Sequence, residues 1–351
     1  MGIVLEGNKV AVVLFNLGGP TSLESVEPFL YNLFSDPAII SLPVVLRLPI
    51  AKFIAWRRAP VARAIYKEMG GKSPLFEQTR KQAELLEARL KAENPNVEVF
   101  VSMRYWDPMS TEVAERVKAW RPDHIILLPL YPQYSKTTTG SSFKDWEKAA
   151  KQVGLKVPTS KICCYPAEQD FIIAHAKLIK ERYFDVAAEG KPRILFSAHG
   201  LPEKVIKSGD PYQSQVEETA QKIIKLLAID DLDYVVCYQS RVGPMRWIGP
   251  PTDSEILRAG QDKVPVILVP IAFVSEHSET LVELDIEYRQ LAVESGVPVY
   301  ARIPALSANE HFIESLANMV MAVDGNHRMF AFTESFEESL VYPWEEKKKA
   351  A

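Results

Sequence analysis

A chain of 351 residues has the length of one large α/β unit or two ordinary domains. Its 47% hydrophobic and 25% charged content is that of a globular protein and excludes a disordered or fibrous chain. A formal net charge of −4 leaves no electrostatic footprint for nucleic acid, and the one basic tract is residues 347–349. Three cysteines, two of them adjacent (Cys163 and Cys164), make no disulfide framework and point to a reducing compartment. No CxxC pair marks a zinc or iron–sulfur site. The first residues, MGIVLEGNKVAVVLF, lack the basic region and cleavage site of a secretory signal, and no apolar run has membrane-spanning length. A cytoplasmic protein is expected, soluble or peripheral on the inner face of the membrane.

In chain order, VAVVLFNL (10–17) reads as a buried strand ending in a small-residue turn, NLGGP (16–20). Thr21 and Glu24 have capping-box spacing, and Val26, Phe29, Leu30, Leu33 and Phe34 trace one helix face behind them. Residues 36–58, DPAIISLPVVLRLPIAKFIAWRR, are apolar but broken by Pro43, Arg47, Pro49 and Lys52, which excludes a simple transmembrane helix. Two readings stay open there. One is a helix capping the core; the other is an exposed apolar lip, at 38–56, for a membrane or a large flat ligand, with Arg57 and Arg58 near an anionic group. EQTRKQAELLEARLKAE (77–93) is a helix by periodicity, and VEVFVSMRY (97–105) and HIILLPLYP (124–132) are strands. RILFSAHG (193–200), DYVVCYQS (233–240) and VPVILVPIAF (264–273) are three more, with a helix, QVEETAQKIIKLLA (215–228), after the first of them.

Strands alternating with helices predict parallel sheets covered on both faces. The six strands also fall into two similar sets of three, since NLGGP has a counterpart in SAHGLP, and ILLPLYPQYS in ILVPIAFVSE. The predicted fold is α/β, with doubly wound halves at 1–185 and 186–330 facing each other and a solvated tail at 331–351. Ligands in such folds bind beyond the carboxyl ends of the strands, where the unusual polar motifs of this chain also fall.

FVSEHSETLVELDIEY (273–288) holds five carboxylates and a histidine. On an α-helix, Glu276, Glu279, Glu283 and Glu287 would share an arc of roughly 80°, flanked by His277 and Leu284 on one side and Val282 and Ile286 on the other. Crowded, partly buried carboxylates cannot all stay ionised without shared protons or cations, so the row suits metal handling or proton movement. SAHG places His199 at a strand-to-loop bend. One imidazole with carboxylates and no thiolate fits a borderline divalent metal such as ferrous iron, held transiently as a substrate is held. CYQSRVGPMRWIGPPT (237–252), stiffened by prolines and glycines, offers Trp247 as an aromatic wall for a flat ligand or as the centre of its own small core. NLGGP lacks the spacing of a nucleotide-binding loop.

LFNLGGP, FLYNLFSDPAIISLP, RRAPVARAIYKEMGGKSP, LPLYPQYSKTTTGSS, SAHGLP, CYQSRVGPMRWIGPPT and SEHSETLVELDIEY, in this order from residue 14 to 288, resemble the ferrochelatase family, the terminal enzymes of haem synthesis. The resemblance implies two Rossmann-like halves around a central cleft and insertion of Fe²⁺ into protoporphyrin IX. It implies that His199 and Glu279 are the iron-binding or catalytic pair, with Glu276, His277, Glu283 and Glu287 along the accompanying polar path. Asn16, Leu17, Arg57, Arg58, Tyr66, Arg104, Tyr131, Ser141, Gln239, Ser240 and Trp247 fall in motifs that line the porphyrin pocket.

Two departures from the family bear on cofactors and partners. Members with a [2Fe–2S] cluster use a cysteine in the YPQYS loop and three in a C-terminal extension; here the loop holds Lys136, and residues 301–351 contain no cysteine. No cluster and no other permanent cofactor is therefore expected, iron being a substrate. Monomer and homodimer both stay open. The rival readings are a chelatase for another metal or tetrapyrrole, a non-catalytic haem or porphyrin carrier, and a two-lobed small-molecule-binding module.

Overall fold

The computed structural model describes residues 7–241, 245–325 and 327–333. Nine strands occur among them: β1 (Val10–Asn16), β2 (Val97–Met103), β3 (His124–Pro129), β4 (Thr159–Cys164), β5 (Arg193–His199), β6 (Asp233–Gln239), β7 (Val266–Pro270), β8 (Tyr300–Arg302) and β9 (Met329–Ala331). Two wholly parallel sheets result, ordered β2-β1-β3-β4-β9 and β6-β5-β7-β8. All six strands read from the sequence are present. Each trio has the same order, with its second strand beside the first and the third on the other side, so the weak internal similarity is a repeat of topology.

The strands β1, β3 and β7 are buried along their whole length, as two-sided helical cover requires. One apolar cluster draws residues from both sheets, including Val12, Leu14, Ile194 and Phe196, together with Leu86 and Leu90 of helix Leu75–Lys91. Full burial of each such leucine contributes about 1.5–3 kcal/mol. Helix Glu310–Met321 packs on both Leu75–Lys91 and Gln169–Ala187. It carries the chain back to the first sheet, where β9 pairs with β4. The last helix and strand thus interleave the two halves. Residues 334–351, most of the expected tail, lie outside the described residues, as do Val242, Gly243 and Pro244 of the 237–252 loop.

One local expectation is corrected and one open choice is decided. The Thr21–Glu24 capping box does not form. Residues 22–25 make a turn in which Ser25 Oγ donates to Ser22 O (2.8 Å), the helix begins at Val26, and Thr21 Oγ1 accepts from Trp106 Nε1 (3.2 Å). From the middle of 36–58 onward, the chain forms a single helix, Val44–Glu68, that contains Pro49 and Pro60. A narrow stripe of Ala51, Ala55 and Ala59 is buried and packs against helix Val26–Phe34. Val45, Phe53, Trp56 and Val61 on the outside are 74, 62, 60 and 67% exposed. The segment is therefore both a cap and an apolar lip. No helix of the described residues is long and apolar enough to cross a membrane.

Candidate active site

The last residue of β5 is His199, and the strand register sets it beside Gln239, the last residue of β6. A β-carbon at Gly200, which follows, would lie 2.8 Å from Gln239 O and 3.4 Å from Trp247 Cε3, so only glycine lets the bend pass so close. Trp247 itself bridges to Pro202 and lines this bend. From the other side, beyond β7, comes Glu279, the first residue of a π-helical segment, Glu279–Glu287. Its Oε2 meets His199 Nδ1 at 2.9 Å and accepts from Ser240 Oγ (3.1 Å) and Gln239 Nε2 (3.4 Å). The pair faces open space, with the His199 side chain 39% and that of Glu279 25% exposed.

Ser240 connects the two carboxylates. Its N–H donates to Glu283 Oε1 (2.9 Å), and its hydroxyl lies against Glu283 Oε2 as well as Glu279. It adopts φ 58°, a left-handed conformation that costs a non-glycine residue about 1–3 kcal/mol and concentrates at functional sites. Tyr288 OH donates to Glu283 Oε1 (3.2 Å) on the outward side.

These neighbours split the titrations. Burial alone would raise the Glu279 carboxyl, but the charge and hydrogen bond of His199, with His277 and Ser240 behind them, hold it low, at about 2. Burial would likewise lower the His199 imidazole, yet Glu279 and then Glu283 raise it above its ordinary value. Glu283 is pushed up by burial and by the Glu279 charge, against the hydrogen bonds of Ser240. One carboxylate is thus fixed as an anion, and its neighbour is a better proton holder.

The single acidic stripe expected of an α-helix is not formed, because helical structure begins only at Ser278 and continues with π geometry, which changes which side chains align. Glu276, before the helix, turns to Arg302 (Oε1–Nη1 2.9 Å), and Glu287 is exposed. His277 Nδ1 donates to Ser275 O (3.1 Å), and the ring lies against that of Phe273, 4.6 Å between centroids.

On the facing wall, Asn16 ends β1 and donates to Thr79 Oγ1 (3.0 Å), and half-buried Leu17 follows it. Tyr66, 7% exposed, reaches toward Ser278 and Glu279; burial above all, and then the Glu279 charge, push its hydroxyl up to about 12. Arg57 and Arg58 are exposed on the lip helix, with the Arg58 guanidinium 5.8 Å from the Phe34 ring. Tyr131 is half-buried, and burial raises its hydroxyl.

Arg104 and Ser141 are engaged elsewhere. Asp36, 4% exposed, accepts from Arg104 Nη2 (2.8 Å), Tyr105 OH (2.7 Å) and the Ser141 hydroxyl, and Arg104 Nε donates to Ser141 Oγ (2.7 Å). Sequence reasoning missed Asp36, and also Tyr212, whose hydroxyl reaches the His199 backbone within the field of Glu279. Tyr212 carried no local signal. Asp36 carried one, its place in the SDPAIISLP motif.

Among solved structures, the fold is similar to the sirohydrochlorin chelatase SirB of Bacillus subtilis subspecies spizizenii in complex with cobalt (TM-score 0.52, 13% identity, 91% of this chain and 96% of that one). It is also similar to DR2241 of Deinococcus radiodurans, described as a multi-domain protein with structural similarity to chelatases (TM-score 0.52, 13% identity, 92% of this chain and 56% of that one). The fold is thus of the chelatase class. The family profile for ferrochelatase matches residues 9–323. Proteins named ferrochelatase are 51% identical in Pelagibacter ubique over 315 residues (89% of this chain, 91% of that one) and 54% identical in Wolbachia sp. subsp. Drosophila simulans over 312 residues (89% and 98%). The chain belongs to the ferrochelatase family.

Proposed function

We propose that the protein is a metal chelatase that inserts Fe²⁺ into protoporphyrin IX to form protohaem, releasing two protons, in haem biosynthesis. The observation that carries this reading is the His199–Glu279 pair, 2.9 Å apart and open to the cleft, with a second carboxylate one serine away.

Metallation requires the pyrrole nitrogens to lose two protons while a divalent cation enters, and the macrocycle must bend to aim its lone pairs at the metal. A cleft with Trp247 on one side and Tyr66 and Leu17 on the other can spend the binding energy of the flat ring on that bend. His199, its basicity raised by Glu279, accepts a pyrrole proton at its ring nitrogen. Glu279 is anionic at rest, balances the imidazolium and offers oxygen to the incoming Fe²⁺. The proton then passes from His199 Nδ1 through Glu279 Oε2, which returns to its anionic form. It moves on by way of Ser240 to Glu283, the carboxylate whose affinity for protons is raised, and out past Tyr288 toward exposed Glu287; the second pyrrole proton leaves by the same path. His277, close by, also favours the anionic form of Glu279.

The same reading assigns Arg57 and Arg58 to the propionates of the porphyrin, with Asn16, Gln239 and Ser240 at the pocket wall. Arg104 and Ser141 shape the pocket through Asp36, and Tyr131 lines it. No resident cluster is needed. At the YPQYS loop, Lys136 donates from its backbone to Asp210 (2.7 Å) and from Nζ to Ser208 O (2.8 Å), a position that offers no thiolate. Exposed Val45, Phe53 and Trp56 support peripheral contact of the lip with the inner face of the membrane.

Anaerobic incubation with Fe²⁺ and protoporphyrin IX tests the proposal. The porphyrin absorption bands should give way to those of haem with catalytic turnover. Tight porphyrin binding without metallation would favour the carrier reading, and faster turnover with Co²⁺ or another tetrapyrrole the related-chelatase reading.

A further inference from the structure

Between the end of β7 and Glu279, residues 274–276 cross the cleft without regular secondary structure. Their polar groups are met by helix Leu75–Lys91 of the other half. Gln82, fully buried, donates through Nε2 to Val274 O (2.8 Å) and Ser307 O (3.0 Å) and accepts at Oε1 from Ser275 Oγ (3.0 Å). Gln78, one turn earlier, accepts from Glu276 N (3.1 Å) and Ser307 Oγ (2.6 Å). From the opposite side, Arg302 at the end of β8 donates to Glu276 Oε1 (2.9 Å) and Asp285 Oδ2 (3.2 Å), the second of these inside the π-helical segment. Glu276 Oε1 also accepts from Ala305 N (2.9 Å).

We propose that Gln82 and Arg302 are positioning residues for metallation, clamping the chain on either side of Glu279 so that its carboxylate holds its place against His199. The inference rests on the reading of His199 and Glu279 as the reacting pair and extends it to residues that touch neither. His199 is fixed by β5, whereas the approach to Glu279 has no sheet to hold it. A buried amide with two hydrogen bonds to this approach and a third to Ser307, whose own N–H donates to Val274 O, supplies that rigidity. Thr79, between the two glutamines, also receives Asn16 Nδ2 (3.0 Å), so the same helix ties the facing wall to the clamp. A misplacement of about 1 Å at a reacting group costs on the order of a hundredfold in rate.

Gln82→Met keeps the volume and removes all three bonds. Arg302→Lys keeps the charge but loses the planar fork that reaches two carboxylates. In anaerobic steady-state assays, kcat should fall roughly 10- to 100-fold for Gln82→Met and less for Arg302→Lys, with the porphyrin KM within about threefold. Ser275→Ala, which deletes one bond, should give a smaller fall and carries the test if Gln82→Met does not fold. In a Glu279→Gln background, Gln82→Met should add little, because both act through one carboxylate. Reduced folded yield with unchanged kcat per folded enzyme, or a fully additive loss in the double variant, would overturn the proposal. Wild-type turnover by Glu279→Gln alone would instead overturn the reading beneath it, and the proposal with it.

Discussion

His199 and Glu279 share a hydrogen bond, and their titrations give the pair a pH window. The Glu279 share of stability is complete above its ordinary value of 4.5 and is lost as pH falls toward about 2. The His199 share is complete below its ordinary 6.5 and is lost as pH rises through its raised folded value. The melting-temperature difference between wild type and Glu279→Gln should therefore be largest between about pH 4.5 and 6.5 and shrink on both sides; a difference independent of pH would contradict the ion pair. Asp36 makes a second residue-level case. Its side chain is 3% and that of Arg104 17% exposed, so Asp36→Ala leaves a largely buried guanidinium with only the longer ion pair to Asp145 (3.6 Å). A loss of about 3 kcal/mol is expected in denaturant unfolding, as for other broken buried pairs. The position of His199 at a strand exit was legible because the apolar run before it marks the strand. The role of Asp36 was not, since Arg104, Tyr105 and Ser141 lie 68, 69 and 105 residues away in sequence.

Legibility among the elements follows burial. Long β-branched runs announced six strands, whereas β8 and β9, three residues each, and β4, TSKICC, carry too few apolar residues to stand out from loops. The acidic segment was recognisable as unusual, but its π geometry was not. A period of 100° per residue was assumed, and the hydrogen bonds that set a wider turn leave no mark on composition. The lip helix differs again. Its apolar residues were plain in the sequence, while the alanine stripe that decides which face packs emerges only beside helix Val26–Phe34. Replacing Phe53 and Trp56 by serine should weaken sedimentation with anionic vesicles severalfold and leave the melting temperature nearly unchanged, since exposed substitutions shift stability by no more than about 0.5 kcal/mol. Equal sedimentation of variant and wild type would remove the lip as a membrane contact.

For the whole molecule, parallel halves and a cleft at the strand ends were foreseeable from alternation of elements alone. Interleaving of the halves was not, because it depends on helix Glu310–Met321 packing against two helices distant in sequence. The same architecture brings β5, β6 and the π-helical segment to one point and gives the clamp its purchase across the cleft. Turnover and porphyrin affinity of His199→Ala, measured side by side with Fe²⁺ under anaerobic conditions, test this arrangement most directly. Metallation should fall at least about a hundredfold while the porphyrin dissociation constant stays within about threefold, the magnitude of a lost general base. Undiminished haem formation by the variant would contradict the account.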